Sequence, residues 1–292
     1  MSWHQSHPSN LVARRRKAFF FRSLCTAFTW SCFILLAFLL FHVGHKGIGL
    51  VNWDFLTNSP SWRASESGIW PALAGSFYLM GLTALISIPV GVGAALYLQE
   101  FAVHSRFSKT IDVNISNLAG VPSIVYGILG ATVFVRFLAL KQSVLAGALT
   151  MTLLILPVII IASREAIKSV PQSIRHAALA LGATKWQTVV HHVVPAATPG
   201  ILTGVILALS RAIGETAPLI TIGAVAYISD APAGIMDSFT VMPLQIYSWT
   251  TKAQAEFQDL AAAGIVTLLT FLVVMNAVAV WIRHRSERNQ QC

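Results

Sequence analysis

The sequence is poor in charged residues, which make up 11% of its 292 positions, while hydrophobic residues make up 55%. A soluble domain carries about 25% charged residues. The mean hydropathy of +0.68 agrees with this imbalance. The composition therefore excludes an ordinary soluble domain and predicts an integral membrane protein.

Cysteine is scarce, and the three cysteines form no disulfide framework, since Cys25 and Cys32 share one apolar run and Cys292 is the last residue. The sequence has no His-Glu-x-x-His or Cys-x-x-Cys motif, and the adjacent His191 and His192 do not share a helix face. We therefore predict no metal site. The glycine-rich Lys-Ser/Thr loop that binds nucleotide phosphates is also missing, so any ATP hydrolysis is expected on another chain.

Six apolar segments are long enough to cross a membrane, for which about 20 residues are needed. They are the segments 19–43, 72–98, 113–138, 143–163, 196–228 and 259–283. The first follows Arg14-Arg15-Arg16-Lys17, but its apolar run is long and no small-residue cleavage site follows, so we interpret it as an uncleaved anchor. These features predict an all-α polytopic membrane protein, with a polar tail at residues 1–18 and a single membrane domain at residues 19–292.

The formal charge of +9 indicates membrane orientation rather than nucleic-acid binding, because the basic residues lie between the apolar segments. Cytoplasmic loops carry an excess of Lys and Arg. With the N-terminus inside, fourteen Lys and Arg residues near the ends of the spans face the cytoplasm. The five that face the outside are Lys46, Arg63, Arg136, Lys141 and Lys252. We therefore predict that both termini are cytoplasmic.

Two charged residues, Arg211 and Glu215, lie inside the fifth apolar segment. A charge at the bilayer centre costs roughly 2.5–3.5 kcal/mol, so such residues usually face a partner, a water-filled cavity or a solute path. Their spacing of four places both on one face of a helix, where they partly neutralise each other. One interpretation is a device that helps helices assemble; the other, which we favour, is a transport pathway.

The longest predicted cytoplasmic loop, residues 164–195, contains an amphipathic pattern from Ile174 to Val190. Leu181 and Trp186 fall near the same side as Ile174, and Pro195 is expected to end the helix. Gly182 interrupts the pattern and is expected to form a turn between two short helices. A protruding helical segment on a chain without an ATP site suggests a docking surface for an energising partner. The alternative is a helix that lies on the lipid surface.

This loop resembles the EAA loop of ABC importer permeases, Glu-Ala-Ala-x(3)-Gly-x(9)-Ile-x-Leu-Pro. Ala177, Ala178, Gly182 and Pro195 keep the spacing of that motif. His176, His192 and Val194 replace its Glu, Ile and Leu, respectively. The resemblance implies the ABC importer permease fold with cytoplasmic coupling helices, in which Ala177, Ala178, Gly182 and Pro195 belong to the loop that couples the permease to its ATPase.

Three further motifs resemble the permeases of the phosphate-specific ABC importer, and the PstA-type subunit more than the PstC-type subunit. The motifs are Gly-Val-Pro-Ser-Ile-Val-Tyr-Gly at 120–127, Arg-Ala-Ile-Gly-Glu-Thr-Ala-Pro at 211–218 and Met-Pro-Leu-Gln-Ile-Tyr-Ser-Trp at 242–249. The resemblance extends over about residues 70–285. It implies an importer of inorganic phosphate in the bacterial inner membrane, with Arg211, Glu215 and Thr216 on the substrate pathway.

The same resemblance implies the partners of the chain: a PstC-like permease subunit, a PstB-like ATPase homodimer and a PstS-like extracytoplasmic phosphate-binding protein. ATP and Mg would then bind to the ATPase, and this chain would hold no cofactor and catalyse no reaction. Alternatives are a permease for another oxyanion, the partner permease of the same system, an intramembrane enzyme acting on phospholipid, and a structural scaffold. The enzyme would need an activated nucleophile or a metal cluster, for which the sequence offers no candidates.

Overall fold

The computed structural model describes residues 8–102, 106–224 and 228–288. Within these ranges the protein is helical, without a strand longer than an isolated bridge between Ser143 and Ser238. The α-helices are α1 (Pro8–Gly47), α2 (Trp53–Thr57), α3 (Trp70–Leu96), α4 (Arg106–Leu118), α5 (Ser123–Gly130), α6 (Val144–Lys168), α7 (Gln172–Ala180), α8 (Lys185–Thr188), α9 (Val194–Ile213), α10 (Ala217–Ile222), α11 (Met242–Thr250) and α12 (Ala255–Arg288). Three π-helical segments, Tyr97–Phe101, Ala131–Phe137 and Val189–Val193, continue α3, α5 and α8.

Among the described residues, five helical segments are long and apolar enough to cross a membrane, namely Arg14–Leu50, Trp70–Phe101, Val144–Lys168, Lys185–Ile213 and Ala255–Arg285. The prediction of a continuous third span over 113–138 is wrong. Lys109–Leu118 and Ser123–Phe137 meet at an angle of 99°, so this segment is not one straight helix. Pro122 lacks an N–H and disfavours helix at the preceding residue, which favours an interruption between Leu118 and Ser123. The Tyr126 hydroxyl donates to the Leu118 carbonyl oxygen at 2.8 Å and braces the bend.

The fifth predicted span, 196–228, is also discontinuous. Helix α9 ends at Ile213, and the short α10 follows after Gly214, Glu215 and Thr216. Gly223, with φ of +91°, adopts the left-handed conformation that terminates α10. The apolar composition of the segment is continuous, but its backbone is not.

Close approaches at glycines give the relative directions of the core helices. A Cβ added to Gly147 of α6 would lie 2.9 Å from Leu79, and one added to Gly91 of α3 would lie 2.7 Å from Ile159. Helices α3 and α6 are therefore parallel. A Cβ on Gly200 of α9 would lie 2.8 Å from Ala166, and Gly204 abuts Ala162, so α9 runs antiparallel to α6. Small residues allow helices in membranes to approach this closely.

Helices α1 and α12 are antiparallel neighbours at the side of this core. Lys46 pairs with Asp259 at 3.5 Å, while Leu40 and Val273 line one shared groove further along both helices. The beginning of α1 and the end of α12 therefore lie at the same end of the bundle. The apolar part of α1 buries none of its residues within this chain. This helix therefore presents a long apolar surface to lipid or to another subunit.

The main core joins α3, α6, α9 and α10, and a second cluster lies at the opposite end of the bundle from the α1 start. In the second cluster, Phe55 and Ile69 pack with Met242 and Trp249 of α11 and with Phe257 of α12. The Met242 N–H donates to Ser76 Oγ at 2.9 Å, which fixes α11 to the beginning of α3. The motif at 242–249 thus contributes to packing at the end of the bundle away from the α7–α8 loop.

Candidate transport site and coupling loop

Arg211 and Glu215 form the predicted ion pair, with 3.4 Å between Arg211 Nε and Glu215 Oε1. They lie at a helix break rather than inside a continuous helix, because Arg211 is in the last turn of α9 and Glu215 follows its end. The negative end of the helix dipole favours a cation at this position. The Arg211 side chain remains 54% exposed within the chain and that of Glu215 20% exposed. The pair is therefore open to a partner, a solute or solvent.

The packing of α9 on α6 gives the depth of this pair in the bundle. Gly200 opposes Ala166 and Gly204 opposes Ala162. Continuing this antiparallel alignment by seven residues places Arg211 opposite Ile155, near the middle of Val144–Lys168. Since α6 is one of the apolar spans, the charged pair lies level with the middle of that span.

Two of the interrupted segments, α4–α5 and α9–α10, pack against each other beside the pair. A Cβ added to Gly127 of α5 would lie 2.7 Å from Pro218 Cα and would also clash with Thr221, so α10 rests directly on α5. Two of the sequence motifs, 120–127 and 211–218, thus meet in space. Thr216 precedes α10, is half-buried and makes no capping hydrogen bond through its side chain. Arg211, Glu215 and Thr216 are therefore brought together at one helix break.

Asn276 is an intramembrane polar residue that the sequence reasoning missed. It lies on α12, and its Oδ1 accepts a hydrogen bond from Ser210 Oγ at 2.5 Å. Ser210 precedes Arg211, so the bond connects the last turn of α9 to α12. The sequence feature that indicates this contact is the single Asn within the apolar segment 259–283, because a buried polar group in a membrane needs a hydrogen-bond partner.

The predicted turn at Gly182 is confirmed, with φ of +84°, between α7 and α8. Helix α8 begins with a capping box in which the Thr184 hydroxyl accepts from the Gln187 N–H at 3.2 Å and the Gln187 side chain accepts from the Thr184 N–H at 2.8 Å. The expectation that Pro195 ends this helix is wrong. Pro195 lies in the first turn of α9, directly after the π-helical segment Val189–Val193, and the helical run continues past it to Ile213.

The turn also changes which residues of the predicted amphipathic helix share a side. Leu181 is 90% exposed and Trp186 is exposed, although both were expected on the side of Ile174. In the EAA-like motif, Ala178 is buried while Ala177 and His176 are exposed. We call α7, the turn and α8 together (172–188) the elbow. Exposed apolar side chains such as those at its tip are typical of a surface that binds a partner.

Among the basic residues counted as orientation signals, Arg164 and Arg175 form ion pairs with carboxylates far away in the sequence. Arg164 of α6 donates to both carboxylate oxygens of Asp112 in α4, at 2.5 and 3.1 Å. Arg175 of the elbow is buried and pairs with Glu100 at 2.6 Å. The sequence pattern gave no sign of these contacts, which join residues 52 and 75 positions apart. Across the described ranges, no group of three or more His, Cys, Asp or Glu residues is arranged to hold a metal ion.

Residues 87–288 match the family of binding-protein-dependent transport system inner membrane components. This range covers the end of α3, the elbow and the Arg211 site. The chain belongs to this family. It is therefore a multi-pass membrane protein of the ABC importer permease type, and the fold predicted from the sequence is confirmed.

Relatives of this permease include phosphate transport proteins. The chain is 34% identical to the phosphate transport system permease protein PstA 1 of Mycobacterium tuberculosis, over 96% of this chain and 92% of that protein. It is 32% identical to the phosphate transport system permease protein PstA of Haemophilus influenzae, over 85% of each chain. Its fold is similar to that of a bacterial alginate ABC transporter crystallised with its periplasmic protein, with a TM-score of 0.66 and 15% identity over 93% of this chain and 96% of that chain.

Proposed function

We propose that this chain is the PstA-type permease subunit of an ATP-driven importer of inorganic phosphate. The relatives named for phosphate transport align over most of the chain and support the choice of substrate. The observation that carries the proposal is the Arg211–Glu215 pair, level with the middle of the α6 span and beside Thr216 in a break between α9 and α10. Broken helices near the midplane are a recurrent way to build transport sites.

Arg211 has the chemistry that a phosphate path needs. Guanidinium N–H donors match phosphate oxygens in geometry and charge. The 3.4 Å bond to Glu215 uses Nε of Arg211, and the side chain is more than half exposed. Its remaining N–H donors are therefore accessible to the passing anion. Glu215 holds the guanidinium in place and lowers its net attraction, so that phosphate is not trapped.

The energy and the second half of the pathway come from other chains in this proposal. A PstC-type permease pairs with this chain, an ATPase homodimer binds ATP and Mg on the cytoplasmic side, and an extracytoplasmic binding protein delivers phosphate. ATP binding moves the elbow and rocks the helices between outward-open and inward-open forms around a fixed site. This chain itself binds no cofactor and breaks no bond.

We expect the elbow end of the bundle to face the cytoplasm of a bacterium, because Lys and Arg residues concentrate there. Single cysteines can test this in a background in which Cys25, Cys32 and Cys292 are replaced by serine. Cysteines at the exposed Ser65 and Ser229 are expected to react with an impermeant maleimide in spheroplasts, whereas one at the exposed Gln172 reacts only after permeabilisation. Labelling of Gln172→Cys in intact spheroplasts would reverse the orientation.

Uptake competition tests the substrate. Cells that depend on this chain for high-affinity uptake are expected to accumulate radioactive phosphate, and excess unlabelled phosphate, but not sulfate or molybdate, suppresses it. Arsenate, which has the same shape and charge, is the positive control. Suppression by sulfate at equal concentration would favour a permease for another oxyanion.

A further inference from the structure

Glu100 and Arg175 form an ion pair that is more deeply buried than the other ion pairs of the described residues. The side chains of Arg175 and Glu100 are 11% and 9% exposed, and Nη2 of Arg175 lies 2.6 Å from Oε1 of Glu100. Nε of Arg175 donates to the same oxygen at 3.2 Å and to Oε2 of Glu100 at 3.4 Å. A two-pronged arginine–carboxylate contact of this kind fixes orientation as well as distance.

The same guanidinium also holds the end of α6. Its Nη1 donates to the Val170 carbonyl oxygen at 2.7 Å, and its Nη2 donates to the Ile167 carbonyl oxygen at 3.0 Å. These carbonyls lie at the end of α6 and just beyond it, so the guanidinium adds donors where the helical hydrogen-bond pattern stops. One side chain of the elbow therefore contacts α6 and, through Glu100, the π-helical end of α3. Lysine carries a compact charge and cannot reproduce this planar set of donors.

The end of α3 holds the second half of the elbow as well. The ring of Phe101, which follows Glu100, lies 5.9 Å from the ring of Trp186 in α8. Nζ of Lys185 lies 5.5 Å from the centre of the Phe101 ring. Glu100 thus contacts α7 while Phe101 contacts α8. The two residues bind both arms of the elbow around its Gly182 turn.

The chain connects the elbow to the transport site on its other side. Helix α8 passes through the π-helical segment Val189–Val193 into α9, and the whole run Lys185–Ile213 is one apolar span that ends beside Arg211. The elbow is therefore joined by backbone to α6 and α9. Its connection to α3 consists of side-chain contacts between residues far apart in sequence.

We propose that the Glu100–Arg175 pair makes the elbow and the end of α3 one rigid unit, so that a displacement of the elbow moves α3 together with α6 and α9. This proposal rests on the function proposed above, in which an ATPase displaces the elbow. Glu100 and Arg175 are positioning residues in this scheme: they touch neither phosphate nor nucleotide. Without the pair, the elbow still binds its ATPase, but the motion of the elbow is transmitted to fewer helices.

The first test measures coupling in the complete complex reconstituted in liposomes. Arg175→Lys and Glu100→Gln are expected to retain the ATPase and to hydrolyse ATP, while phosphate transported per ATP hydrolysed falls roughly tenfold. Glu165→Gln is the matched control, because it removes a carboxylate at the same end of the bundle whose partner, Lys168, is on the same helix. If the variants lose assembled complex but the remaining complex transports the normal amount per ATP, the pair is only structural and the proposal is wrong.

The second test does not depend on the transported substrate. Spin labels on cysteines at the exposed Tyr97 and Ser173 report the distance between the end of α3 and helix α7 of the elbow, away from the tip at which the ATPase docks. In the wild-type background, the distribution of this distance is expected to be the same with and without ATP. In Glu100→Gln, ATP is expected to broaden or shift the distribution. A wild-type distance that changes with ATP overturns the rigid unit. If the wild-type complex hydrolyses ATP without moving phosphate, the phosphate assignment is wrong. The measured distances still test whether the elbow and the end of α3 form a rigid unit.

Discussion

The Arg211→Gln variant is expected to lose phosphate uptake while the protein reaches the membrane at normal levels. A hydrogen bond to a charged group contributes about 1.5–3 kcal/mol, so losing it corresponds to roughly a 10- to 100-fold decrease in uptake rate. The substitution also leaves Glu215, level with the middle of the α6 span, without its cation, so that it repels phosphate. The measurement is the initial rate of radioactive phosphate uptake, normalised to the amount of permease in the membrane.

Two companion variants separate a pathway role from a packing role. Glu215→Gln is expected to be milder than Arg211→Gln or to change the pH profile of uptake, because the attractive charge survives. The double variant Arg211→Gln/Glu215→Gln leaves no charge unpaired and removes the cost of an isolated buried charge. We expect the double variant not to transport. Normal uptake by the double variant would mean that the pair serves only to assemble helices.

The Gly182→Trp variant is expected to insert normally but to lose ATPase association or to hydrolyse ATP without uptake. Gly182 has φ of +84°, and residues with a Cβ are strained there by roughly 1–2 kcal/mol. Nothing lies within 4 Å of a Cβ added at this position, so the chain itself has room for the bulk. The bulk of the indole therefore obstructs the partner that docks at the elbow. ATPase copurification and uptake, measured on the same membranes, record the effect.

A graded series at this position distinguishes strain from obstruction. Asparagine tolerates the left-handed conformation, so Gly182→Asn is expected to stay close to wild type, and Gly182→Ala adds strain without bulk. Uptake is expected to be least impaired in Gly182→Asn, more impaired in Gly182→Ala and most impaired in Gly182→Trp. Normal uptake together with normal ATPase binding in Gly182→Trp would contradict docking at the elbow and favour a helix that lies on the lipid surface.

The sequence predicted the spans well but not their interruptions. Apolar composition identified each membrane segment, yet it is insensitive to a break, because a broken span keeps the same residues. Pro122 and Gly214 mark the two breaks, but both residues also occur inside intact membrane helices. Here Pro89 and Pro157 lie within the continuous α3 and α6. Which of these residues ends a helix was decided by packing, such as α10 resting on α5.

The candidate site was predictable where its members are close in sequence. The four-residue spacing of Arg211 and Glu215 indicated their contact, and Gly182 indicated its turn. The Glu100–Arg175 contact and the Ser210–Asn276 bond join distant parts of the chain, and no local periodicity encodes them. Arg175 in particular looked like a solvated orientation charge. Its burial follows from the way the elbow folds back on the ends of α3 and α6.

Reconstitution tests the central claim most directly. This chain, its partner permease and the ATPase are placed in liposomes with ATP and Mg on the ATPase side and with binding protein and radioactive phosphate on the opposite side. The account predicts that phosphate moves towards the ATPase side only with hydrolysable ATP, and that Arg211→Gln stops the movement. Phosphate movement of equal rate without ATP, or ATP-driven movement of sulfate in its place, would contradict a phosphate importer.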